Sequence, residues 1–274
     1  MMFDISKSVG CTERMNYLKR GFLFYMCSSC MLLVQFAIYL VNSNYWESLN
    51  FVGGFYYLMA ALGQAFLFNL IPWIILYIPF TWWRQMRKVG TILFTCAIFL
   101  LNVLAYLNGI VFQLYKFHIN GFVLDLAFGG GGNQVFVFNN TLVLHGVLIG
   151  LLILLFTLAV VFIAYRYARY VTSKQVKIGI YLFLFSCIAP QLTHAYAAAA
   201  NVNSITEVSA CLPQFYPLTA NRLMLKLGVV KKEDLYVNNP DKGKGHSFVY
   251  PLHPLEKVDS VKPLNIIYLI LDSW

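Results

Sequence analysis

Charged residues are scarce in this 274-residue chain, at 11% of the total against 59% hydrophobic and 17% aromatic. A soluble domain carries about a quarter. The deficit is matched by long apolar runs, which a bilayer core demands and an aqueous one does not. No Asp, Glu, Lys or Arg sits deep inside those runs. That argues against a proton- or ion-coupled transporter, which keeps an ionisable group in the membrane interior. Cysteine is limited to six residues, four of them within apolar runs, and Cys211 is the lone thiol of the C-terminal tail. This usage argues against a disulfide framework. A cleavable leader is also missing, because the first apolar run is too long for an h-region and no small-residue cleavage site follows it. The net charge of +9 comes with no basic helix or aromatic-basic sheet pattern, so nucleic acid is rejected as a partner.

What is present is an all-α membrane architecture of five transmembrane helices, expected over 21–41, 51–80, 89–112, 142–165 and 178–200. Each covers the roughly 20 residues needed to cross about 30 Å of hydrocarbon. Pro72 is expected to kink the second span and Pro79 to lie at its interfacial end. Direction follows from the loops. Lys7, Arg14, Lys19 and Arg20 precede the first span, Arg84, Arg87 and Lys88 follow the second, and Arg166, Arg169, Lys174 and Lys177 follow the fourth. The 42–50 loop has no Lys or Arg and the 113–141 loop only Lys116. The N-terminus is therefore expected in the cytoplasm and the tail outside it. Trp46, Trp73, Trp82 and Trp83 fall near span ends, as interfacial aromatics do.

Several motifs take a structural reading. Cys27-Ser-Ser-Cys30 has redox spacing, but it lies mid-span with no helix N-terminus near it, where small residues serve helix packing. The four glycines at 129–132 lack the Lys-Ser/Thr of a phosphate loop and read as a turn. The 117–126 segment before them reads as a short helix lying in the outer interface. His145 and His194 lie near span ends, where backbone or headgroups satisfy them.

The chain divides into a membrane domain at 1–200, a linker at 201–263 and a strand at 264–274. The linker holds eight Lys or Arg, six Asp or Glu and six of the nine prolines. Within it, 219–228 reads as a short helix with Thr219 as N-cap and Gly228 past its end. Leu223 and Leu227 share a face with Ala220 and Met224, and Arg222 and Lys226 share one side. Such a helix either rests on anionic headgroups or packs on a soluble domain with its cations solvated. The β-branched run before Asp272 reads as a buried strand of a parallel sheet, with the carboxylate at its ligand-binding end. A strand covered on both faces implies a larger α/β domain beyond it.

Asn265-Ile-Ile-Tyr-Leu-Ile-Leu-Asp272-Ser273 resembles the opening strand of sulfatase-like domains of the alkaline-phosphatase superfamily. Five helices ahead of such a domain is the plan of lipoteichoic acid synthases and of phosphoethanolamine transferases. The chain is more similar still to the PbgA/YejM-type family of inner-membrane sulfatase-like regulators of lipopolysaccharide synthesis. That likeness runs through His118-Ile-Asn-Gly-Phe-Val-Leu-Asp-Leu126, Leu212-Pro213, Tyr216-Pro217-Leu218-Thr219-Ala220, Arg222, Gly228 and Tyr250-Pro251-Leu252. The resemblance implies a bacterial inner-membrane protein with a periplasmic tail that senses lipid A or lipopolysaccharide. It implies lipid contact at Thr219, Asn221 and Arg222, with Lys226 as a further cation, and a metal ligand at Asp272. Implied partners are membrane lipids, a tetratricopeptide adaptor and, through a proposed transport role, cardiolipin. No cofactor is implied within this chain; a divalent metal belongs to the full domain. Two departures stand out. Asn221 takes the place of the first of two adjacent arginines, and Ser273 follows Asp272 where the family has glycine. Ser273 keeps open the alternative of a membrane-anchored phosphotransferase or hydrolase acting on lipid headgroups. Asp272 alone does not make an active site.

Overall fold

The computed structural model describes residues 2–47, 49–129 and 140–230. The expected strand, Asp272 and three of the four glycines at 129–132 lie outside the described residues. In chain order the helices are α1 (Met2–Val41), α2 (Phe51–Pro72), α3 (Arg87–Tyr115), α4 (Gly121–Phe128), α5 (Asn140–Tyr167), α6 (Ser173–Ala199), α7 (Asn203–Thr206) and α8 (Asn221–Lys226). Among the described residues there is no strand. Five segments are long and apolar enough to cross a membrane: Thr12–Val41, Phe51–Thr81, Arg84–Tyr115, Val143–Tyr170 and Ser173–Ala199. The outward surface agrees with that reading. Leu155, Phe162 and Tyr181 are each more than 60% exposed, an apolar exterior that lipid tolerates and water does not.

The bundle is centred on α1, which packs against α2, α3 and α5, while α6 lies mainly on α2. Two apolar clusters hold it. One joins Tyr17, Phe24, Tyr77, Phe94 and Ile98 near the start of α1; the other gathers Leu32, Phe36, Tyr57, Phe112 and Cys211 near its end. Tyr17 and Tyr77 stack with centroids 4.2 Å apart. Each also donates its hydroxyl to the other's carbonyl, at 3.2 and 2.9 Å. Side-chain amides add a buried polar seam: Gln35 donates to Asn102 at 2.7 Å, and Asn69 donates to Ser29 at 3.2 Å. The CxxC segment takes part in this packing, since Ser28 and Ser29 are fully buried and both bond the Tyr25 carbonyl, while Cys27 and Cys30 are free.

The bend expected at Pro72 takes the form of a change of helix type. Beyond Pro72 the chain makes a π-helical turn over Trp73–Tyr77 and a 3-10 turn over Ile78–Thr81, with Pro79 inside the latter. Proline offers no N–H to the preceding turn, and prolines and π-turns are where long helices depart from regular α geometry. A third proline, Pro190, lies inside α6. Its missing N–H leaves the Ser186 carbonyl, four residues back, without its helical donor. Gly63 of α2 fills that place, so close that a Cβ there would lie 2.3 Å from the Ser186 oxygen. Small residues and Cα–H contacts bring membrane helices together in this way.

Candidate functional site

The chain leaves α6 through Asn201, whose φ of +55° ends the helix. It passes through α7 and a 3-10 turn over Val208–Cys211, then runs back along α2 and α6 as an irregular strap to α8. Burial pushes the Cys211 thiol up, against the opposing influence of Ser43 and Lys116.

The strap is held by side chains that grip its backbone. Gln64 donates to the carbonyls of Pro213 and Gln214 at 3.1 and 3.4 Å. Gln191 donates to the Tyr216 carbonyl at 3.5 Å and accepts the Leu218 N–H at 2.7 Å. Ring nitrogen Nδ1 of His194 lies 3.0 Å from the Leu218 carbonyl. Gln191 sits about 12 Å, and Gln64 about 20 Å, along its helix from the end where the tail begins, at 1.5 Å per residue. The strap thus runs alongside two candidate spans, and irregular backbone at membrane depth persists only when protein satisfies it.

His118 closes the other side. Its ring stacks on Phe112 at 4.6 Å, its Nδ1 lies 2.9 Å from Asn108 Nδ2, and its Nε2 lies 3.2 Å from the Ala210 carbonyl. Asn108 Oδ1 already accepts the Ile119 N–H at 2.8 Å. Its NH₂ therefore faces His118, which accepts on Nδ1 and donates from Nε2 to Ala210. Leu32, Phe68, Asn108, His118 and Pro213 help line a cavity of about 240 Å³ beneath this loop.

Residues 12–257, which take in every candidate span, the strap and α8, match a family described as Domain of unknown function (DUF3413). The chain belongs to the DUF3413 family. A search of curated proteins gives no match.

In this DUF3413 domain the four residues expected to meet lipid lie close together. Thr219 lies two residues ahead of α8, while Asn221, Arg222 and Lys226 lie on it, and all four are exposed. Gly228 behaves as expected. It adopts φ +67°, its N–H bonds the Leu225 carbonyl at 3.1 Å, and the Val229 N–H bonds that of Met224 at 3.1 Å. This is a Schellman ending. Thr219 is not the N-cap: the helix opens at Asn221 behind Ala220, with no side-chain cap. Gln191 and His194 hold Leu218 from both its backbone groups, so Thr219 falls in the strap. Leu223 and Leu227 are 54% and 64% exposed while Met224 is half-buried. The leucines therefore turn outward beside the cations. The short helix expected at 117–126 forms over Gly121–Phe128, with Asn120 accepting the Val123 N–H at 3.1 Å. Among the described residues no cluster of three or more His, Cys, Asp or Glu could hold a metal ion.

Sequence reasoning missed Gln64, Gln191 and His118 as tail-binding residues, and Asn108 as the residue that orients His118. Their signal is an amide or imidazole on an otherwise apolar helix or at its end, which costs free energy unless paired.

Proposed function

We propose that this DUF3413 protein is an inner-membrane sensor of lipid A or lipopolysaccharide that regulates lipopolysaccharide synthesis. Its N-terminus is cytoplasmic and its tail periplasmic. α8 is the sensing element: Arg222 and Lys226 meet phosphates, Thr219 and Asn221 hydrogen-bond the headgroup, and Leu223 and Leu227 enter the lipid. The membrane domain would pass occupancy to a tetratricopeptide adaptor, and cardiolipin is a second lipid partner. Asp272 would belong to a following sulfatase-like domain as a ligand of its divalent metal.

The observation that carries this reading is the exposed Leu223 and Leu227 beside exposed Arg222 and Lys226, on a helix strapped to the flank of two candidate spans. A soluble surface would gain nothing from outward leucines there, whereas a bilayer interface uses both faces. The family match supports the likeness to PbgA/YejM-type proteins, whose N-terminal transmembrane domain DUF3413 is. The bias of Lys and Arg to one set of loops supports the orientation.

The test is lipopolysaccharide co-purified with the protein carrying Arg222→Ala and Lys226→Ala. Each cation is worth about 1 kcal/mol beside an anionic surface, so the pair should cost roughly thirtyfold in affinity. Unchanged occupancy would remove α8 as the sensor.

A further inference from the structure

At the end of the bundle away from the strap, a cavity of about 290 Å³ opens between α1, α3 and α5. Four cations line it, Arg20, Arg84, Arg87 and Lys88, against the single carboxylate of Glu13. Glu13 pairs with Arg84 at 2.9 Å and Arg87 at 3.5 Å, so one negative charge serves two guanidinium groups. Arg20 lies over the Tyr165 ring at 3.8 Å, an arrangement that steadies the group and leaves its edge donors free. The Nε atoms of Arg20 and Arg87 are buried without a hydrogen-bond acceptor. Buried donors of this kind call for an acceptor. An anion with several oxygens would supply it.

The cavity does not end in protein. Lys88 and Tyr165 also line a second cavity of about 490 Å³, which continues between α3 and α5 past Thr95 and Leu158. Both threonines on its α3 wall turn their hydroxyls back onto the helix: Thr91 bonds the Arg87 carbonyl at 3.0 Å and Thr95 the Thr91 carbonyl at 2.7 Å. Their methyl groups are left with Ile92, Val161 and Leu158 to form an apolar channel. From Lys88 to Thr95 it runs about 10 Å along α3, two-thirds of one leaflet's roughly 15 Å of hydrocarbon.

The geometry points to a binding site for one anionic glycerophospholipid, with its phosphate in the cationic cup and an acyl chain in the α3–α5 groove. A soluble phosphate would fill the cup and leave the groove unexplained. A zwitterionic lipid would fill the groove and bring its own cation into the cup. This site lies in the leaflet opposite the strap and does not depend on what α8 binds.

The experiment is native mass spectrometry of the full chain in detergent, titrated in separate arms with phosphatidylglycerol, phosphatidylcholine and inorganic phosphate. Wild type should retain phosphatidylglycerol at least tenfold better than phosphatidylcholine. Arg20→Gln with Lys88→Gln should remove that preference. Lys88→Gln alone, at an exposed position that packing does not need, should lower it several-fold. Leu158→Trp should weaken phosphatidylglycerol and leave inorganic phosphate unchanged. Arg222→Ala with Lys226→Ala should leave the preference intact, which separates this site from α8. The inference is overturned if wild type shows no preference, or if Lys88→Gln does not change it. It is also overturned if inorganic phosphate binds as tightly as the lipid and Leu158→Trp has no effect.

Discussion

His118 is a neutral imidazole by construction. A second proton would place an N–H on Nδ1 against the NH₂ of Asn108, and turning Asn108 over would strip the Ile119 N–H of its acceptor. Burial lowers its pKa from 6.5, partly offset by the bond to Ala210. The folded value therefore lies below the unfolded one. Stability is complete above about pH 6.5 and falls as acid protonates the unfolded chain first. His118→Phe keeps an aromatic on Phe112 and cannot titrate. The fall in Tm between pH 7.5 and 5.5 should be smaller in this variant than in wild type, and an equal fall would refute the assignment. Gly63 makes the complementary case on purely steric grounds. Its missing Cβ faces a backbone oxygen, which cannot swing aside as a side-chain tip can. Gly63→Ala should cost about 1–3 kcal/mol, read as a lower Tm in detergent, whereas the same change at Gly150, which has open space around it, should not.

At the scale of the element, the five spans are legible because each is a long apolar run, and composition alone identifies such a run. Helix ends were less so: α1 starts at Met2, well ahead of the apolar stretch, because helical bonding does not stop where hydropathy does. Gly228 was readable because its role is local. The strap was not. Gln64 and Pro213 are 149 residues apart, and a bond to a backbone carbonyl leaves no mark on the residue that accepts it. Thr219 failed as a cap for a related reason, since Gln191 and His194 of a distant helix decide where α8 opens. Gln191→Ala removes both bonds to the strap at Tyr216 and Leu218, each worth about 1 kcal/mol. Amide exchange over 214–220 should quicken roughly tenfold or more, with α3 unaffected. Equal protection would show that the grip lies elsewhere.

Across the whole molecule, the proposed topology, with the five candidate spans of the described residues all crossing, sends the two ends of the chain to opposite sides of the bilayer. A secreted-type phosphatase fused after Trp274 should be active, and a fluorescent protein that folds only in the cytosol should stay dark there. The reverse pattern would undo the lipid A reading at once. The manner in which the tail is held carries a consequence for how such proteins can diversify. Gln64, Gln191 and His194 recognise main-chain atoms common to almost every amino acid, so the bundle is a socket indifferent to the letters of what plugs into it. Substitutions should accumulate freely at Tyr216 and Leu218, whose side chains are exposed, while the sockets stay fixed. A foreign segment of the same length, grafted in their place, should still dock.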